Sequence, residues 1–135
     1  MTPEKLVELA KEAMGRAYAP YSGFKVGAAL LCKDGTVYQG CNIENAAYGP
    51  TNCAERTAFF KAVYDGQRDF AAIAVCGGKD GVITGGFPPC GICRQVMREF
   101  CDDDFLIHMV NAEGFETHTL AEILPFSFSA KKHMH

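Results

Sequence analysis

The chain has 135 residues, 48% of them apolar, enough to enclose one core and to form a single domain over residues 1–135. Thirteen Lys and Arg against sixteen Asp and Glu leave a formal charge of −3, the wrong sign for a surface built to bind polyphosphate, which argues against nucleic acid as a partner. The N-terminus MTPEKLVELAKEAM is charged and amphipathic, and no apolar run approaches membrane-spanning length, so a soluble, cytoplasmic chain with no membrane partner is expected.

Thr2 and Pro3 mark the start of a first helix, and Leu6, Leu9, Ala10, Ala13, Met14 and Ala17 recur at helical spacing to give one apolar stripe that should lie on a sheet. After the loop Tyr18–Gly23, the segments 25–32 and 36–42 flank Asp34-Gly35, a strong hairpin signal. A second helix is expected from Cys53 to Asp65, ending before Gly66, and a central strand over 71–76, where the apolar run is continuous. The glycine-rich stretch 77–87 reads as a loop leading to Pro89 and a third helix, whose Val96, Met97 and Phe100 should face the core. Strands over 105–111 and 115–119 follow, joined by a Glu-Gly turn, and Thr119-Leu120-Ala121-Glu122 reads as a capping box for a last short helix closed by Pro125. Strands alternating with helices predict one layered α/β domain with a mixed sheet. Residues 129–135 are expected as a frayed, flexible tail.

The chemistry is concentrated in Cys53-Ala54-Glu55 and Pro89-Cys90-Gly91-Ile92-Cys93. Cys53, Cys90 and Cys93 offer three thiolates to one tetrahedral zinc, and the fourth position stays open for water, as in catalytic rather than structural zinc sites. Both motifs fall at predicted helix starts, where unpaired N–H groups and the helix dipole ease thiol deprotonation. Glu55 has a functional reading as proton shuttle beside the metal and a plain one as a favourable acid in a first helical turn. Three thiolates leave the site with one excess negative charge, and Arg56 and Arg94, each one residue past a motif, are expected to offset it by hydrogen-bonding the sulfurs; otherwise both are surface arginines. A C-x-x-C pair alone also fits a redox centre or a zinc knuckle, but the redox reading leaves Cys53, Glu55 and Pro89 unused. The remaining Cys32, Cys41, Cys76 and Cys101 lie in or beside apolar stretches and read as packing residues, and an odd cysteine count in so apolar a chain favours reduced thiols.

The motif pair is a known signature of zinc nucleobase deaminases, and the likeness extends well beyond it. Residues 24–30 (FKVGAAL), 40–48 (GCNIENAAY), 53–58 (CAERTA) and 89–95 (PCGICRQ) resemble, in the same order, the small homotetrameric cytidine deaminases, and the resemblance runs from about Tyr18 to Phe128. It implies a three-layer α/β/α fold with a five-stranded mixed sheet, one Zn²⁺ per subunit held by Cys53, Cys90 and Cys93, and Glu55 as general acid/base. It also implies hydrolysis of cytidine and 2′-deoxycytidine to uridine and 2′-deoxyuridine in pyrimidine salvage, with active sites shared between subunits. Asn42 and Glu44 match the residues that hold the ribose, Phe24 the ring against the pyrimidine, and Ala54 a further substrate contact. A C-terminal phenylalanine of a neighbouring subunit covers the base in that family; spacing from Leu124-Pro125 favours Phe128, with Phe126 as the alternative. Pro50, Gly91 and Ile92 are tolerable variations. A carboxylate at Glu44 accepts from a free sugar hydroxyl and repels a 3′-phosphate, which favours nucleosides over strands. The competing functions are a blasticidin-S-type nucleoside antibiotic deaminase, a polynucleotide editor and a non-catalytic zinc-stabilised interaction domain.

Overall fold

In the computed structural model, which describes residues 1–134, helix α1 spans Pro3–Met14 and opens as expected, with Thr2 Oγ1 accepting from the Lys5 N–H at 3.2 Å. Five strands follow, β1 (Phe24–Cys32), β2 (Val37–Cys41), β3 (Phe70–Lys79), β4 (Leu106–Asn111) and β5 (Gly114–Thr119). They form one sheet in the order β2-β1-β3-β4-β5, with β3 and β4 parallel and the other neighbours antiparallel. The mixed five-stranded sheet is therefore present.

Alternation along the strands sorts side chains to two faces. Ala29 of β1, Ala72, Ala74 and Cys76 of β3 and Val110 of β4 meet Leu6, Val7 and Ala10 of α1 on one face. Small side chains let that helix approach the sheet closely. The opposite face carries Leu30, Ile73, Val75 and Ile107 against α2 (Ala54–Tyr64) and α3 (Gly91–Phe100). Phe59 of α2 is fully buried there and packs edge-on to Phe70, with centroids 5.1 Å apart. Burying one such ring is worth about 1.5–3 kcal/mol. The result is three layers, with α1 on one side and α2 and α3 side by side on the other.

Two segments differ from the sequence reading. Strand β3 runs on to Lys79 through Gly77 and Gly78, which pair with Val26 and Lys25 of β1. These glycines are strand residues under tight packing: a Cβ on Gly78 would run into the Val82 carbonyl, and one on Gly77 would meet the Phe87 ring. The segment expected as a frayed tail contains helix α5 (Ala130–His133), capped by Ser129 Oγ accepting from the Lys132 N–H at 3.3 Å. Lys131 Nζ and Lys132 Nζ stand 3.3 and 3.7 Å from carboxylate oxygens of Asp102 and Asp103, contacts that separate residues in sequence hid. His135 lies outside the described residues. The capping box opens α4 (Leu120–Ile123), with Thr119 and Glu122 bonded reciprocally. Among the described residues no helix is long and apolar enough to cross a membrane.

Helix α2 is seated directly on strand β2. A Cβ on Gly40 would overlap the Ala54 carbonyl oxygen and lie 2.6 Å from the Ala58 nitrogen, both backbone atoms that cannot yield without moving the helix. Gly40→Ala is expected to cost roughly 1–3 kcal/mol in denaturant unfolding through this overpacking; an unchanged midpoint would show that α2 can shift freely.

Candidate functional site

The site lies where α2 and α3 both begin. Cys53 is the N-cap of α2 and Cys90 the N-cap of α3, each with extended backbone, so the two motifs sit at neighbouring helix N-termini. On the first side, the chain leaves β2, bridges Ile43 to Asn52 and turns into Cys53. On the second, Pro88 and Pro89 stiffen the approach to Cys90.

The sulfurs of Cys53, Cys90 and Cys93 all lie within 4.8 Å of one another, with Cys53–Cys90 at 3.8 Å and Cys90–Cys93 at 3.4 Å. Three sulfurs at about 2.3 Å from a tetrahedral zinc stand about 3.8 Å apart, so this cluster fits the ion. It has three members among the described residues, which leaves one coordination position without a protein donor. The electrostatics favour metal binding on the Cys53 side. A hydrogen bond from Cys93 and then the Arg56 guanidinium pull the Cys53 thiol down to about 5, and Arg56 Nη2 donates to Cys53 Sγ at 3.2 Å. Cys93, buried and donating to Cys53, holds its own proton more tightly for the same reason.

Arg56 thus stands where the sequence reading put it. Arg94 does not: its Nε donates to the Pro89 carbonyl at 2.8 Å and its Nη1 to the Ile123 carbonyl at 2.7 Å. The reason is direction, since its side chain leaves α3 toward the end of α4 instead of toward the sulfurs.

A cavity of about 220 Å³ opens on the cluster and is lined by Phe24, Asn42, Glu44, Cys53, Ala54, Glu55 and Cys90 among others. Glu55 is only 4% exposed, and burial raises its carboxyl to about 7. A buried acid with that value can both take and give a proton near neutrality. Asn42 is also buried, and its side chain spans two backbone groups, accepting from the Val26 N–H at 2.9 Å and donating to the Phe24 carbonyl at 2.7 Å. One amide hydrogen and one oxygen lone pair remain for a ligand. Glu44 accepts from the backbone N–H groups of Tyr21 at 3.0 Å and Ser22 at 3.1 Å and from the Ser22 hydroxyl. The Ser22 hydroxyl foremost, with these amides, holds its carboxyl below the ordinary range, so Glu44 is an ionised acceptor. Phe24 is 45% exposed at the cavity wall.

Phe128 is 57% exposed and lines no part of its own chain's cavity; its ring stacks on His133 at 5.4 Å. Phe126 is fully exposed. Ser22, Thr51, Asn52, Phe87 and Pro88 also line the cavity, and the sequence reading did not single them out. Ser22 had a usable signal, a hydroxyl in the loop just before Phe24. The other four are brought in by folding alone. The four further cysteines are free thiols, with Cys32, Cys76 and Cys101 buried and Cys41 only partly so.

Because burial raises the Glu55 carboxyl, the native metal-free protein binds a proton more tightly there than the unfolded chain does. This contribution to stability is full below the ordinary glutamate value and is lost as pH rises through about 7. With zinc chelated, Glu55→Gln is therefore expected to stabilise the protein relative to the parent at pH 8 and much less at pH 5, by up to about 3 kcal/mol. Urea unfolding of both proteins at the two pH values measures it, and an equal difference at both would contradict the burial effect.

Residues 1–109 match the family model for the cytidine and deoxycytidylate deaminase zinc-binding region. The chain is 54% identical over 130 residues to the cytidine deaminase of Sporosarcina psychrophila, covering 96% of this chain and 93% of that one. It is 50% identical over 132 residues to the cytidine deaminase of Halalkalibacterium halodurans, covering 97% of each. The crystal structure of cytidine deaminase from Burkholderia pseudomallei superposes with a TM-score of 0.87 at 48% identity, over 95% of this chain and all of that one. With its three-sulfur cluster, its buried glutamate and its mixed five-stranded sheet, the chain belongs to the zinc-dependent cytidine deaminase family.

Proposed function

We propose that this protein hydrolyses cytidine and 2′-deoxycytidine to the corresponding uridines and ammonia, as a pyrimidine-salvage enzyme. The observation that carries the reading is a buried glutamate, poised near neutrality, beside a three-thiolate cluster with one open position in a cavity. Cys53, Cys90 and Cys93 would hold zinc, whose Lewis acidity would make a water nucleophilic at neutral pH. Glu55 takes the proton from the attacking water, passes it to N3 as the C4–O bond forms, and helps deliver a proton to the amine as the C4–N bond breaks. Water and nucleoside enter, and uridine and ammonia leave, so protons and electrons balance.

Phe24 offers a ring face to the pyrimidine, and Ala54 at the first turn of α2 lies beside it at the cavity wall. Glu44, already fixed by three donors, has lone pairs left for a sugar hydroxyl, and Asn42 has a donor and an acceptor left. An ionised carboxylate there disfavours a phosphodiester, as does the chain's net charge of −3, so a free nucleoside fits better than a nucleic acid. The assembly we favour is a homotetramer in which Phe128 of one subunit closes a neighbour's site; its exposure and its absence from the lining of its own chain's cavity support this. A cytoplasmic location agrees with seven cysteines that are all free thiols.

Glu55→Gln preserves shape but cannot carry the proton. It is expected to retain zinc and lower kcat on cytidine by at least 10²–10⁴-fold, read as ultraviolet loss of cytidine alongside zinc content; near-normal kcat would overturn the role. For the shared site, co-refolded mixtures of Phe128→Ala and Glu55→Gln subunits should recover a lower KM than Phe128→Ala alone. In such a mixture an intact glutamate can meet an intact phenylalanine from the other subunit.

A further inference from the structure

Arg94 follows a zinc ligand by one residue, yet its guanidinium is spent on two carbonyls: Pro89, the residue before Cys90, and Ile123, the last residue of α4. Both bonds are short and charge-assisted, a class roughly twice as strong as neutral hydrogen bonds. The Ile123 carbonyl is one of the groups a helix end leaves without an internal partner, and a cation there is favourable. Pro89 is fully buried, whereas Cys90 itself is exposed, so the Arg94 bond to the Pro89 carbonyl anchors the turn on the buried side of the ligand. The next residue, Gln95, continues the same link by donating from Nε2 to the Phe128 carbonyl at 3.0 Å.

We infer that Arg94 is a positioning residue for the metal site, a two-ended clamp that makes α4 and the segment leading to Phe128 a brace for the Cys90 turn. The inference rests on the zinc reading above, since the turn it braces carries one of the three sulfurs. Charge alone does not account for Arg94, because Arg56 already donates to Cys53 Sγ at 3.2 Å and no hydrogen bond joins Arg94 to a sulfur. What Arg94 supplies is shape: a planar fork whose Nε and Nη1 point at two carbonyls at once, an arrangement that a lysine's single nitrogen does not reproduce. With the clamp released, Cys90 has more conformations to lose when it binds metal, and the loop end of α4 loses its cation.

The test is zinc affinity by chelator competition on the full chain, with hydrogen exchange of residues 120–128 as a second readout. Arg94→Met and Arg94→Lys are both expected to weaken zinc by about 10–100-fold, the usual range for groups that orient metal ligands, and to speed exchange around Leu124. Arg94→Lys keeps the charge and guards against the case in which Arg94→Met fails to fold. Parent-like zinc affinity in Arg94→Lys overturns the clamp, as does weakened zinc with unchanged exchange in residues 120–128. If the parent protein itself fails to bind one zinc per chain, the zinc reading fails and not the clamp.

Discussion

Three sulfur atoms within 4.8 Å of one another are an unfavourable arrangement for thiolates unless something positive is near, and the fold is organised around supplying it. Cys53 and Cys90 each cap a helix, so backbone N–H groups and the positive ends of two dipoles meet at the cluster. Arg56 adds a full charge in contact with Cys53. Zinc held by the three sulfurs would offset two of their charges and would leave the centre one negative charge richer than a His-Cys-Cys set. The Arg56 contact would bear on that excess: a guanidinium donating to Cys53 Sγ would draw electron density from the sulfur that holds the metal. Its Nε is buried without a partner, a cost that fits a guanidinium placed for the sulfur and not for its own comfort.

Bringing two helix tips together is the work of the sheet. Strands β1 and β3 pair along their whole length, and β2 and β4 flank them, so the segments entering α2 and α3 emerge at one end of the same surface. Close backbone approach sets the depth: Gly40 lets the first turn of α2 rest on β2, and that turn carries Ala54 and Glu55. Glu55 in that turn is 4% exposed. Burial is the first cause of its raised carboxyl value, and the helix that carries it is seated through the glycine of the neighbouring strand.

Much of this was legible in the sequence because its periods are clean. The apolar stripe from Leu6 to Ala13 reads as a helix on a sheet, the continuous run 71–76 reads as a central strand, and Thr119–Glu122 reads as a capping box; all three are present. The zinc cluster was legible because each of its two motifs is a local pattern of ligand spacing, although the motifs lie far apart in the chain. What was hidden depends on contacts distant in sequence. Gly77 and Gly78 have loop composition yet are strand residues, and only the positions of Val82 and Phe87 explain why they lack side chains. Arg56 and Arg94 occupy equivalent places after their motifs, and nothing local tells them apart. Their partners differ because α2 begins with Cys53 as its cap, three residues before Arg56, whereas Arg94 sits within reach of the end of α4.

Asn42 and Glu44 show how a structural use of a side chain leaves capacity for a ligand. Without the family resemblance both read as turn residues after a strand. In the structure Asn42 ties the Val26 and Phe24 backbones together, and Glu44 ties down the Tyr21–Ser22 loop. Neither bond set uses up the side chain's capacity, since an amide has two donors and two lone pairs and a carboxylate about four acceptor sites. The structural bonds fix the remaining sites in direction before any ligand arrives, so the entropy of orienting them is not charged to binding. The same bonds hold Phe24, whose N–H donates to the Ser22 hydroxyl and whose carbonyl accepts from Asn42. Phe24, Asn42 and Glu44, the residues proposed for the base and the sugar, are therefore parts of one hydrogen-bonded loop, and a substitution that frees one disturbs the others.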